Sequence, residues 1–178
     1  GVVFAGNHGL QIRGESLHFL EPTADRLRPK LAAHAEALKR SLRHVPGVQV
    51  ENKGLTLSVH YRRVPAHLQR SVVDVVREKV YVSDEFRLAH GKKVLEVRPQ
   101  IDWHKGKAVN WIRRQMPRAA LPIYIGDDST DEDAFLALPD GLTIRVGGDI
   151  DSLAKYRVKS TAGVRRFLHW LSRQTAKR

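Results

Sequence analysis

A short apolar run, Leu121 to Ile125, ends at Gly126 and is followed within six residues by four carboxylates, Asp127, Asp128, Asp131 and Glu132. An apolar stretch of that length bounded by glycine reads as a buried strand. In an open α/β sheet, ligands collect where the carboxyl ends of the strands open into loops. Acids crowded this closely raise one another's pKa unless a cation compensates them. The chain has no cysteine, so any metal is held by oxygen or imidazole, and four hard oxygen donors favour magnesium over zinc. Thr130 is placed to cap the next helix, with acids complementing its dipole. Capping does not account for Asp127 and Asp128, because both precede the cap, and a metal or catalytic role is expected for the loop.

The remainder of the chain has two grammars. Val2 to Ala5 is β-prone, and Leu10 to Leu20 alternates around Gly14 as a hairpin does. Leu27, Leu31, Ala35, Leu38, Leu42 and Val45 then recur at spacings of three and four, one stripe of a helix that stops at Pro46-Gly47. Strands are expected at Val48 to Val50 and Leu55 to Tyr61 around Asn52-Lys53-Gly54, with Leu57, Val59 and Tyr61 on one face and Thr56, Ser58 and His60 on the other. A second amphipathic helix from Pro65 carries Leu68, Val72, Val75, Val76 and Val80, and strands follow at Phe86 to Leu88 and Val94 to Val97. This α-β-β-α-β-β order predicts an α+β unit over residues 22–99, with helices on one side of a half-buried sheet. After Pro99 the order becomes helix (Lys105 to Met116), strand, acidic loop, short helix (Asp131 to Leu138), strand (Leu142 to Val146) and helix (Val164 to Arg173). Alternation of that kind predicts a parallel sheet in residues 100–178, with residues 1–21 leading into the inserted unit.

Composition bounds the partners. The net charge is +12, but its cations are spread along predicted helices (Arg26, Arg28, Lys30, Lys39, Arg40, Arg43, Arg165, Arg166, Arg173) rather than gathered in one block with interleaved aromatics. That spread fits solvated helix faces better than a nucleic-acid footprint. Neither a signal peptide nor a membrane-length apolar run is present, so a cytoplasmic protein with no membrane partner is expected. The chain opens on Gly1, and its sole methionine is Met116, so an upstream segment is expected.

Trp103-His104-Lys105-Gly106-Lys107-Ala108 opens a helix with a glycine in its first turn. Glycine there costs about 1 kcal/mol relative to alanine and suggests close approach by another group. Phosphate is the candidate, since Lys105 would add a point charge to backbone N–H groups already suited to anions. Nothing in the spacing of His104 makes it a ligand.

Taken together these residues resemble the haloacid-dehalogenase superfamily and, within it, the trehalose-6-phosphate phosphatases. Gly126 to Phe135 is similar to that superfamily's fourth motif and Asp102 to Ala108 to its third. Ala5-Gly6-Asn7-His8-Gly9-Leu10 resembles the entry to the cap, Glu51-Asn52-Lys53-Gly54 and His60-Tyr61-Arg62 its sugar-holding strands, and Leu95-Glu96-Val97-Arg98-Pro99 the return to the core. The resemblance implies an α/β fold, a haloacid-dehalogenase-like Rossmannoid core, incomplete at its N-terminal side, with an inserted α+β cap. It implies Mg2+-dependent hydrolysis of trehalose 6-phosphate to trehalose and phosphate. Lys105 and Asp131 would be catalytic, with Asp131 in or next to the metal's ligand shell. Asp127 and Asp128 would be the metal ligands, and Asn7, His8, Glu51, Lys53, Arg62 and Glu96 the substrate-binding residues. The small-molecule substrate would be the main partner, with a link to a trehalose-6-phosphate synthase.

One departure matters. The superfamily's nucleophile is the first aspartate of an Asp-x-Asp motif on an early strand, and no such motif precedes the cap-like unit here. The chain alone is therefore expected not to turn over. The alternatives are a related phosphatase acting on another sugar phosphate, and a non-catalytic sugar-phosphate-binding module of a synthase-phosphatase fusion.

Overall fold

The computed structural model describes residues 2–117, 120–148 and 151–175. The chain divides into two compact units, Gly1–Asp102 and Trp103–Arg178.

The first unit begins with a three-stranded antiparallel sheet, β1 (Phe4–Gly6), β2 (Gln11–Arg13) and β3 (His18–Leu20), in the order β1-β2-β3. The expected hairpin is β2–β3, and Ile12 at its centre is fully buried. Pro22 then opens α1 (Pro22–Arg26), whose N-cap Glu21 accepts the amide of Ala24. The long stripe forms α2 (Arg28–Leu42), with Leu31, Ala35, Leu38 and Leu42 buried. After β4 (Gln49–Asn52) and β5 (Leu57–His60) comes α3 (Ala66–Val80), burying Val72, Val76 and Val80, and then β6 (Phe86–Gly91) and β7 (Val94–Pro99). These last four strands make an antiparallel sheet ordered β4-β5-β7-β6.

Register decides which side chains face the helices. Leu57 pairs with Val97 and Val59 with Leu95, and all four lie in one core with the buried stripes of α2 and α3. The opposite face therefore carries Glu51, Ser58 and Glu96 side by side across three strands. Half-burial of the sheet predicts an open face there, but Thr56 and Ser58 are fully buried. The 3-10 turn Asn7–Gly9 bonds to it: the Thr56 hydroxyl donates to Asn7 Oδ1 at 2.8 Å, and Asn7 Nδ2 donates to the Lys53 carbonyl at 3.3 Å.

The second unit has α4 (Lys105–Arg114), β8 (Ile123–Gly126), α5 (Glu132–Leu136), β9 (Leu142–Val146), β10 (Tyr156–Val158) and α6 (Thr161–Thr175). Its sheet is parallel, ordered β10-β9-β8, as the alternation of strand and helix predicts. The sequence pattern does not predict β10. It is three residues long, with two of them exposed, and it is defined by its pairing to β9 rather than by any apolar pattern. The cations Arg26, Lys30, Lys39, Arg40, Arg43, Arg165, Arg166 and Arg173 are exposed on their helices. Among the described residues no helix is long and apolar enough to cross a membrane.

Leu38 is wholly excluded from solvent in the core of the first unit. Leu38→Ala should lower the unfolding free energy by about 2–5 kcal/mol, shifting the urea midpoint with the slope unchanged.

Candidate active site

In the second unit the apolar strand β8 delivers its acids at its carboxyl end, as the sequence predicts. The surprise is how they are used. Asp131 is buried at 5 % exposure, and its carboxylate takes four hydrogen bonds. Oδ1 accepts from Lys105 Nζ at 2.6 Å and from the Tyr124 hydroxyl at 2.8 Å. Oδ2 accepts from the backbone N–H groups of Asp127 at 3.0 Å and Asp128 at 2.8 Å. Gly126 makes this possible, because a Cβ there would stand 2.4 Å from Asp131 Cγ. Asp131 thus ties α4, β8 and the acidic loop together.

The electrostatics follow. Burial works against the charge on Asp131 and is the largest single influence, yet Lys105, the Asp128 amide and Tyr124 together hold its carboxyl below the usual range. Asp128 is also lowered against burial, by the Ser129 hydroxyl, the charge of Lys105 and the loop amides. For Asp128 and Asp131 the elevation expected of crowded acids is outweighed, and the Lys105 ammonium contributes to both. Tyr124 is pushed up by burial and by Asp131, so it keeps its proton and donates.

Two local expectations are corrected. Thr130 does not cap the helix: the N-cap of the 3-10 turn Ser129–Asp131 is Asp128, in a reciprocal capping box with Asp131. Thr130 Oγ1 is instead buried without a partner among the described residues. At Gly106 the group in close approach is not a phosphate but the main chain of α5, since a Cβ there would stand 2.3 Å from the carbonyl oxygen of Asp133. That glycine lets α4 seat against α5 and so brings Lys105 to Asp131.

Glu132 is likewise committed to structure. It accepts from Ser152 Oγ at 2.9 Å, the Leu153 amide at 2.7 Å and Arg145 Nη1 at 3.3 Å. Arg145, only 6 % exposed, also donates to the Asp128 carbonyl at 2.8 Å, bracing the loop from β9. This leaves the exposed carboxylates of Asp127 and Asp128 as the loop's outward oxygens. No group of three or more His, Asp or Glu side chains among the described residues is placed to hold a metal unaided. Two carboxylates do suit magnesium, which keeps several waters and completes its shell from a bound phosphate.

In the first unit, four of the expected substrate-binding residues converge. His8 Nε2 lies 3.1 Å from Glu96 Oε2, Lys53 Nζ lies 3.9 Å from Glu96 Oε1, and Asn7 is fixed by Thr56. Glu51 lies two strands from Glu96, its carboxylate 3.1 Å from His60 Nε2. Arg62 stands apart, donating to the Lys92 carbonyl in the turn between β6 and β7. Arg98 is a residue that sequence reasoning misses: its guanidinium grips Glu96 Oε2 through Nε at 3.0 Å and through Nη2. The signal for it is its place two residues from Glu96, on the same face of β7. Tyr124 and Arg145 carry no such signal, since each reads as an ordinary strand residue.

The His8 hydrogen bond, reinforced by Arg98, holds the Glu96 carboxyl at about 2 despite partial burial.

A parallel sheet with acids at a strand's carboxyl end and a lysine on the first turn of the adjoining helix defines a haloacid-dehalogenase-like α/β protein. The trehalose-phosphatase family model matches residues 1–165, and the chain belongs to that family. It is 37% identical over 184 residues to a trehalose-phosphate phosphatase of Mycobacterium marinum, an alignment covering 98% of this chain and 47% of that protein. A probable trehalose-phosphate phosphatase C of Arabidopsis thaliana is 36% identical over 188 residues, covering 96% of this chain and 58% of that one. The chain therefore spans about half the length of the curated relatives it matches. Among solved structures, a trehalose-6-phosphate phosphatase related protein superposes with a TM-score of 0.82 at 25% identity, over 96% of this chain and 71% of that one.

Asp131→Ala should lower the unfolding free energy by about 3 kcal/mol or more in urea titrations, because it strands the Lys105 ammonium and two loop amides. A second expectation concerns acid. Glu96 titrates at about 2 in the fold against an ordinary 4.5, so between those values the unfolded chain binds the extra proton. Its stabilisation is complete above pH 4.5 and is lost as pH falls towards 2. The difference in melting temperature between the protein and Glu96→Gln should shrink across that window, and a constant difference would count against the network.

Proposed function

We propose that the chain supplies the phosphate-, metal- and sugar-binding parts of a trehalose-6-phosphate phosphatase, a cytoplasmic phosphoric monoester hydrolase of trehalose biosynthesis. The observation that carries this is the Lys105–Asp131 pair, which sets an ammonium beside the outward carboxylates of Asp127 and Asp128. Family membership and the names of the relatives support the choice of substrate.

In this proposal Lys105 faces the transferring phosphoryl group and neutralises its charge, while Asp131 fixes the direction of the ammonium. Asp127 and Asp128 would hold Mg2+, which when bound polarises the phosphoryl oxygens. Glu51, Lys53 and Glu96, with Asn7, His8 and Arg62 around them, would bind sugar hydroxyls through charge-assisted hydrogen bonds. The attacking carboxylate is not among these groups, and no Asp-x-Asp precedes Pro22 in the sequence. Turnover accordingly needs a nucleophile from outside the 178 residues.

Manganese, a paramagnetic stand-in for magnesium, should broaden the amide signals of Asp127 to Ser129 in the purified chain, and Asp127→Asn should abolish the broadening. The same chain with Mg2+ and trehalose 6-phosphate should release no phosphate above background. Release that Asp127→Ala abolishes would overturn the assignment of the nucleophile to an external segment while leaving the substrate intact. Release from a different sugar phosphate only would overturn the substrate.

A further inference from the structure

Glu96 sits in the middle of the polar face of its sheet, paired across to Ser58 on β5 and to Ala89 on β6. Its two oxygens are treated unequally. Oε2 meets His8 Nε2 at 3.1 Å and receives both Nε and Nη2 of Arg98. Among the described residues Oε1 has Lys53 Nζ as its one charged neighbour, at 3.9 Å, too far for a hydrogen bond. Arg98 is 15% exposed in its side chain and Glu96 19%, whereas Lys53 is 35% exposed. The guanidinium therefore lies under the carboxylate with its fork already filled, and the ammonium stands at the open side.

His8 reaches Glu96 from a left-handed turn. It has φ 59 and follows Asn7 at φ 50, two successive left-handed residues that are not glycine. Asparagine and histidine are both enriched among the non-glycine residues that adopt that conformation. Asn7 is locked there by Thr56 and the Lys53 carbonyl. The turn is thus held from both sides in a geometry whose visible result is an imidazole on Glu96.

We propose that Arg98 and His8 are positioning residues: they occupy one oxygen of Glu96 so that the other is presented, with the Lys53 ammonium, as an acceptor and donor pair bridged by a single hydroxyl of the ligand. A hydroxyl donates to a carboxylate oxygen while accepting from an ammonium, which suits the 3.9 Å gap. The inference rests on the proposed sugar-binding role of this face, and it assigns His8 an indirect part rather than ligand contact. The low pKa of Glu96 supports it, since the presented oxygen is then a full acceptor at any neutral pH.

The test uses the 178-residue chain. Carbon-detected NMR follows the Glu96 carboxyl as pH is lowered, and amide shifts at Lys53, Ser58 and Glu96 follow binding of trehalose 6-phosphate. Arg98→Met should move the carboxyl titration up towards the ordinary glutamate range and weaken binding by about tenfold or more, with Arg98→Lys recovering part of both. Glu96→Gln should weaken binding as strongly, and the double variant should bind within about twofold of Glu96→Gln alone, because Arg98 then has nothing left to position. Should Arg98→Met fail to fold, His8→Gln carries the same comparison from outside the sheet. An unchanged carboxyl titration in the variants, or a double variant that loses the product of the two single effects, overturns the inference and leaves the sugar face intact. Absence of ligand shifts on this face, or Glu96→Gln binding like the parent, overturns both.

Discussion

The second unit depends on one carboxylate. Asp131 collects a lysine ammonium, a phenol and two backbone amides, and these come from α4, β8 and the loop that follows it. A buried carboxylate is tolerable only when its oxygens are matched by donors of this kind. The match fixes three things at once: the direction of Lys105, the path of the chain at Asp127 and Asp128, and the seat of the 3-10 turn. Both glycines that look like turn residues in the sequence serve this arrangement. Gly126 leaves room for Asp131 itself, and Gly106 lets α4 approach the α5 backbone closely enough for Lys105 to reach.

Glu96 plays a comparable part in the first unit. It too is a partly buried acid met by nitrogen groups from separate segments: the His8 imidazole in the turn, the Lys53 ammonium after β4 and the Arg98 guanidinium on its own strand. In both units the carboxylate nearest the centre is already engaged, and the groups facing outward are its neighbours. A site built this way is preorganised, because the charged groups that meet a ligand need not rearrange when it arrives.

Much of this is legible in the sequence where the physics is local. The stripe of α2 and the alternation of β5 follow from spacing alone, since burial on one face requires apolar residues at the helical or strand period. The acidic loop is legible because four acids directly after an apolar strand repel one another, and a fold keeps them together only where cations or donors compensate the charge; the expected burial of that strand is not met, since β8 is only partly buried and Leu121 is exposed. What escapes is long-range. β10 exists only through β9, and the acceptor for the buried Thr56 hydroxyl lies in a turn 49 residues earlier in the chain. The choice of Asp128 over Thr130 as the cap hangs on where the Asp131 carboxylate turns. Sequence spacing points to Thr130 alone, and the donors around Asp131 decide for Asp128.

Hydrogen-bond saturation also separates the acids by what they are able to do. Glu132 commits its oxygens to Arg145, Ser152 and Leu153, and Asp131 is saturated, so neither has lone pairs directed at a ligand. Asp128 divides its carboxylate between the cap and the Ser129 hydroxyl at 3.2 Å. No described group bonds the exposed carboxylate of Asp127. Of four neighbouring acids, then, one has no bonded partner among the described groups and one is partly engaged. Under the proposed function that would be fewer protein ligands than a closed calcium or zinc site uses, as suits a cation that would take its remaining oxygens from water and a bound phosphate.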